Sequence, residues 1–502
     1  TKDLPPSELL DRLAFYYAFL RFYALWLILP TILGIGLGLT QLYYASLDSQ
    51  LVPFFCIFLA IWATVFLEFW KRKQASLAHQ WGVLDYEKYQ ENLRPEYNAD
   101  YPKWKKYLYT CLSVPVLLFI GGGAAALVLY LMTTRDAHVL NGDSNKDAVV
   151  YDISLFFNSL IWGFAIPIFD FIYTLIANKF TYIENYEKAS THSKTLTLRV
   201  FSLRFINSYI ALYYYALADL DLSRLSMSVL GIMLAGQVFN YVLTFFVPLI
   251  YSKWNIKKYS SPQHTKKASD MPNSLYNISD TYKAPYYHTL TKNRRQSHQK
   301  NGKKVNNIEL SQAWQEYLRY EYNNFDDFAQ IVLQFGFVTF FSMAFPFAPL
   351  AAFINNLIQF RAGAYKMCFI YRRPVAVRGS GMGTWFAILQ FMSVMAVLTN
   401  CALIGFTSNH ISEWFPQMSN SEKILAVFAF EHILIILKLL LRSFIPSRSL
   451  KLKKILEQER TELERIQTNH LHLYEHLQKK HRHEMRLKNR INYTQNYTNT
   501  QY

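Results

Sequence analysis

The side chains with chemistry to offer are polar and charged groups set inside long apolar runs. Asp170, then Arg204, Asn207 and Ser208, then Asn240 and Thr244, then Asp327 and Gln330, and finally Asn355, Asn356, Gln359 and Arg361 all interrupt such runs. A charged or amide group in hydrocarbon loses its water, so it turns toward a protein interior or a wet cavity. Singly, each reads as interhelical glue or as an arginine snorkelling to the interface. As a set concentrated in five successive runs, they point to a polar groove or pore. Glu431 and Lys438, two helical turns apart on one face, suit a buried pair or a subunit contact. Catalysis has nothing comparable: the sequence shows no Ser/His/Asp or Cys/His set, and no enzyme is expected. Cys56, Cys111, Cys368 and Cys401 lie in apolar runs without the paired spacing of a disulfide framework or zinc site. Gly34-Ile-Gly36-Leu-Gly38 has the letters of a phosphate loop, but no strand precedes it, and close helix packing is the expectation.

The elements that must position these groups are membrane helices. Of 502 residues, 52% are hydrophobic and 17% charged, and about 20 apolar residues are needed to cross ~30 Å of hydrocarbon. Ten stretches approach that length: 13–42, 52–70, 107–132, 150–177, 200–217, 225–250, 328–345, 348–369, 384–406 and 424–445. The fold class is therefore an all-α integral membrane protein of about ten transmembrane helices. Lys71, Arg72, Lys73, Lys103, Lys105 and Lys106 follow the second span, and Lys188 and Lys194 the fourth. Basic connections face the cytosol, which puts both termini there. Residues 251–323 turn to Lys, Asn, Ser, Tyr and Gln, a cytosolic linker between helices one to six (1–250) and seven to ten (324–446). In the tail, 447–502, apolar residues recur every three or four positions among charges, the pattern of an amphipathic helix. Its five histidines read as solvated. The net charge of +17 sits mainly beside the spans, which favours an anionic lipid surface over nucleic acid. Asn277-Ile-Ser279 and Asn492-Tyr-Thr494 match the glycosylation pattern but fall on the cytosolic side, where they are expected unmodified. The chain begins at Thr1 without an initiator Met, so an upstream region is expected.

Phe66-Leu-Glu68-Phe-Trp70-Lys-Arg-Lys73, Trp81-Gly82 and Arg94-Pro-Glu-Tyr97 open a series of ordered signatures. Glu184-Asn185, Arg204-Phe-Ile-Asn207-Ser-Tyr209, Gln334-Phe-Gly-Phe-Val338, Phe345-Pro-Phe-Ala-Pro349-Leu, Asn355-Asn356, Arg372-Arg-Pro374 and Glu431-His432 continue it. The series resembles the anoctamins, calcium-activated channels and lipid scramblases, over most of the chain. The resemblance implies a ten-span homodimer with a groove in each subunit lined by spans three to seven, the family's cytosolic N-terminal domain lying outside this sequence. It also implies where a calcium site would stand. The matching positions are Asn240 and Thr244 on the sixth span, Asp327 and Gln330 on the seventh, and Asn355, Gln359 and Gly363 on the eighth. Asp327 is the one acid among them; adjacent Asp326 is rotated about a hundred degrees away. Calcium takes about six to eight oxygens and binds more tightly as carboxylates accumulate. The expectation is no resident metal, with calcium at most a weak ligand. Thr244, Gln330 and Gln359 would instead hydrogen-bond across the helices and hold the sixth span against its neighbours.

The function expected is movement of phospholipid headgroups, and of ions, along the groove between the fourth and sixth spans, with weak or no calcium activation. Asn158, Arg199, Arg204 and Asn207 are the expected headgroup or anion contacts. A chloride channel and a membrane-contact tether using the basic linker and tail are the alternatives. The expected setting is the endoplasmic reticulum or plasma membrane.

Overall fold

The computed structural model of the protein describes residues 11–85, 94, 96–141, 148–259, 316–372, 374, 379–408 and 413–498. Most of the expected linker, including Asn277, lies outside the described residues, and so do the side chains of Asn158 and Asn492. Among the described residues, ten long helices follow the apolar runs in order and an eleventh forms the amphipathic tail: α1 (Asp11–Tyr44), α2 (Val52–Gln80), α3 (Lys103–Asn141), α4 (Ala148–Ile183), α5 (Ala189–Leu217), α6 (Leu222–Tyr259), α7 (Phe325–Phe340), α8 (Ala348–Tyr365), α9 (Thr384–Ala402), α10 (Asn420–Phe444) and α11 (Leu450–Thr498). The sixth helix runs nine residues past the expected span end, through Lys257 and Lys258. A two-residue parallel pairing joins Tyr320–Glu321 to Tyr371–Arg372.

Seven of these helices are long and apolar enough to cross a membrane. The other three expected spans, α5, α7 and α8, are shorter in apolar length or interrupted by the polar groups described above. They tolerate this because protein surrounds their polar faces. Along α7, nearly every residue from Asp327 to Phe340 is buried, and α8 buries Asn355, Asn356, Gln359 and Gly363. By contrast, α3, α4, α6 and α10 expose Phe119, Phe171, Phe246 and Phe444, the outer apolar surface that lipid would cover.

Packing around α7 is aromatic. Trp62 stacks on Phe66 at 5.3 Å between ring centroids, and Phe335 of α7 closes on both. Tyr209 of α5 donates from its hydroxyl to the Leu333 carbonyl at 2.5 Å, across the bare face of Gly336, where a Cβ would strike that hydroxyl. Gln334 donates to the Ala352 carbonyl at 3.1 Å and Asn400 to the Thr339 carbonyl at 2.8 Å. Pro349 sits in the first turn of α8, where its missing N–H costs nothing. These bonds tie α7 to α5, α8 and α9.

Candidate functional site

The positions that the resemblance matched to a calcium site do converge, on α6, α7 and α8. Asn240 donates to Gln330 Oε1 at 2.5 Å, and Gln359 donates to the same oxygen at 3.3 Å and to the Tyr16 hydroxyl at 2.8 Å. Tyr241 donates to Asn355 Oδ1 at 2.9 Å. Thr244 turns back to the Asn240 carbonyl of its own helix, so its cross-helix bond is made by its carbonyl, which accepts from the Tyr371 hydroxyl at 3.0 Å.

At the centre stands a residue that sequence reasoning passed over. Lys366 Nζ lies 2.6 and 2.7 Å from the two oxygens of Asp327, with Lys366 4% and Asp327 3% exposed. Tyr322 donates to Asp327 Oδ2 at 2.5 Å; burial and that carboxylate hold the Tyr322 phenol protonated, its pKa well above the usual value. Residues 355, 359 and 363 of α8 and Lys366, at its C-terminal cap, advance by four, four and three, which keeps them on one helical face. Continuing the ladder one step past Gly363 finds the lysine. At Gly363 itself the Tyr17 hydroxyl stands where a side chain would begin, 2.5 Å from an added Cβ.

A calcium ion does not fit this donor set. The single carboxylate already has an ammonium on both oxygens, Gln330 Oε1 already accepts from Asn240 and Gln359, Asn355 Oδ1 accepts from Tyr241, and the void left between Asn240, Thr244, Asp327, Gln359 and Lys366 is about 10 Å³. That is room for about one water molecule. Among the described residues no group of three or more His, Cys, Asp or Glu stands ready for a metal.

The expected groove runs where α4 meets α6, and here the two helices are in close contact. Gly163 lies against Ile232 and Ala235, Gly231 against Ser159 and the backbone of Phe156 and Leu160, and Ser159 and Ser228 share a 3.1 Å hydrogen bond. Three of the expected headgroup contacts, Arg199, Arg204 and Asn207, are held by protein. Arg199 donates to Glu184 at 2.7 Å, to Ser113 at 2.8 Å and to Thr181 at 3.0 Å, a buried cluster tying α3, α4 and α5. Arg204 sits between Asp326 at 2.7 Å and Asp170 at 3.8 Å, and Asn207 donates to Asp170 at 3.1 Å. Asp326 thus faces α5, away from Asp327. Lys438 bonds the Ser393 carbonyl at 2.7 Å and its hydroxyl at 2.5 Å, so α9 supplies its partners and Glu431 does not.

Comparison with known proteins places the chain beside relatives along most of its length. The family model described as "Anoctamin: Calcium-activated chloride channel" matches residues 11–459. The chain is 27% identical to anoctamin-10 of Homo sapiens over 456 residues, covering 87% of this chain and 62% of that relative. It is 28% identical to anoctamin-10 of Mus musculus over 458 residues, with the same coverage. Anoctamin-4 of Mus musculus is 27% identical over 410 residues, covering 72% of this chain and 39% of its own length. The chain therefore spans about three-fifths of the anoctamin-10 relatives. With the family match running from the first helix into the tail, over residues 11–459 of 502, this chain belongs to the anoctamin family.

Proposed function

We propose that this anoctamin moves phospholipid headgroups, and ions with them, along the α4–α6 seam without calcium control. The observation that carries the reading is the Lys366–Asp327 pair, an internal cation on the one acid among the converging site positions. In the sealed state Gly163 and Gly231 close the seam. Parting α4 from α6 would open a furrow in which a headgroup stays solvated while its tails remain in hydrocarbon, lowering the cost of crossing. Arg204 and Asn207 would then exchange Asp170 and Asp326 for a lipid phosphate, with Asn158 three turns further along α4 as a second contact on the path; Arg199, deep in its Glu184 cluster, anchors the helices that stay still. The working unit is a homodimer in an internal or plasma membrane with both termini cytosolic, the basic linker and tail resting on anionic lipid.

The closed contact between α4 and α6 favours one rival, an anion channel enclosed by protein. Purified protein in liposomes separates the two, with fluorescent-lipid translocation and chloride flux measured in calcium and in chelator. Lipid transfer at equal rates in both supports the proposal. Chloride flux without lipid transfer supports the channel. Neither activity, together with clustering of anionic liposomes, supports the tether.

A further inference from the structure

We propose that Lys366 is a built-in cation, its ammonium taking the place among α6, α7 and α8 that a diffusible ion would otherwise fill. The inference rests on reading the site as free of calcium control, and it names the device responsible.

Three observations carry it. The ammonium touches both oxygens of Asp327, at 2.6 and 2.7 Å, and lies 5.4 Å from the ring centre of Tyr322, whose hydroxyl serves the same carboxylate. It is thus coordinated from two sides, as an ion would be. Next, the backbone is shaped to deliver it. Lys366 opens a π-turn, Lys366–Ile370, at the end of α8, and the Lys366 carbonyl accepts the Tyr371 N–H that closes this turn. Such turns are rare and recur where a helix must aim a functional side chain. Finally, the charges balance. One carboxylate and one ammonium leave the buried site neutral, whereas a divalent ion entering beside them would leave two positive charges uncompensated in a medium of low dielectric. A diffusible cation can enter only where the ammonium has left.

Removing the lysine should therefore turn a cation-independent protein into a cation-dependent one. Lys366→Ala deletes three methylene groups and the ammonium, the atoms of propylammonium. What remains is one unpaired carboxylate near the oxygens of Gln330, Gln359 and Thr244, with the Gln359 Oε1 and the Tyr17 hydroxyl buried and lacking protein partners among the described residues. A small monovalent cation matches that single charge best, with calcium as a poorer alternative.

The test is thermal unfolding of the purified full chain in a buffer whose only cation is tetraethylammonium, too bulky to enter. We expect K366A to unfold below the wild type and to recover by a few degrees on adding propylammonium or calcium. The wild type and the neutral D327N/K366M pair should respond to neither. The inference is overturned if K366A ignores both cations, if the wild type is itself stabilised by calcium, or if the neutral pair responds as K366A does. Should K366A not fold, K366Q replaces it in the same comparison, and the wild-type calcium arm stands independently. Unfolding reads the site alone, so a wild type that moves neither lipid nor chloride would sink the transport reading while this result decides the inference.

Discussion

Buried charges in this protein occur in matched sets, and single residues should reveal that when one partner is removed. Glu184 is fully buried and holds Arg199; breaking such a pair on one side typically costs about 3–5 kcal/mol, because the remaining charge has no solvent. Glu184→Gln should lower the unfolding midpoint sharply, and E184Q/R199M should recover most of the loss. A single variant as stable as the wild type would contradict the cluster's role. The Tyr209 hydroxyl offers a smaller test: Tyr209→Phe removes one buried bond to Leu333, worth about 1 kcal/mol. At this scale the sequence was informative about which residues were unusual and silent about their partners. Glu184 and Arg204 stood out as parts of motifs, and Asp327 as the lone acid. Lys366 escaped because the matched ligand ladder ended at Gly363, although a further step of three residues keeps to the same face. A lysine on a face otherwise made of amides, inside an apolar run, was the signal available.

Helices carry the next level of the account. The apolar runs announced ten spans, and ten helices follow them: seven are specified by length and apolarity alone, and α5, α7 and α8 by the protein packed around their polar faces. What they did not announce was contact between helices, which depends on which face each presents. Gly336 shows this: its bareness makes sense only once Tyr209 lies across it. Gly336→Ala should force the ring aside and destabilise by about 1–3 kcal/mol, the usual cost of overpacking, more than Tyr209→Phe. The seam is tested the same way. A valine at Gly163 would press on Ala235 and the backbone of Ile232, pushing α4 off α6. Gly163→Val should therefore raise lipid transfer while lowering thermal stability. Unchanged transfer with lowered stability would place the lipid path elsewhere.

Over the whole molecule, the polar helices α5, α7 and α8 are wrapped by apolar ones, and the tail is joined to the membrane region at its edge. His79 of α2 lies 3.0 Å from Glu459 of α11, and Arg448 3.3 Å from Asp85. Past those contacts α11 leaves Leu463, Ile466, Leu473 and Leu477 exposed along one side. Full-length protein in neutral nanodiscs should bind phosphatidylserine vesicles, less so as salt rises through the range where the Debye length falls below ~10 Å. Salt-insensitive binding would count against an electrostatic contact. The central claim, that Lys366 already supplies the positive charge the three helices need, is tested most directly by equilibrium dialysis of calcium against the purified wild-type protein. The account predicts no saturable calcium above the detergent background up to millimolar concentration. One or more ions bound per chain at micromolar calcium, and lost on Asp327→Asn, would contradict it.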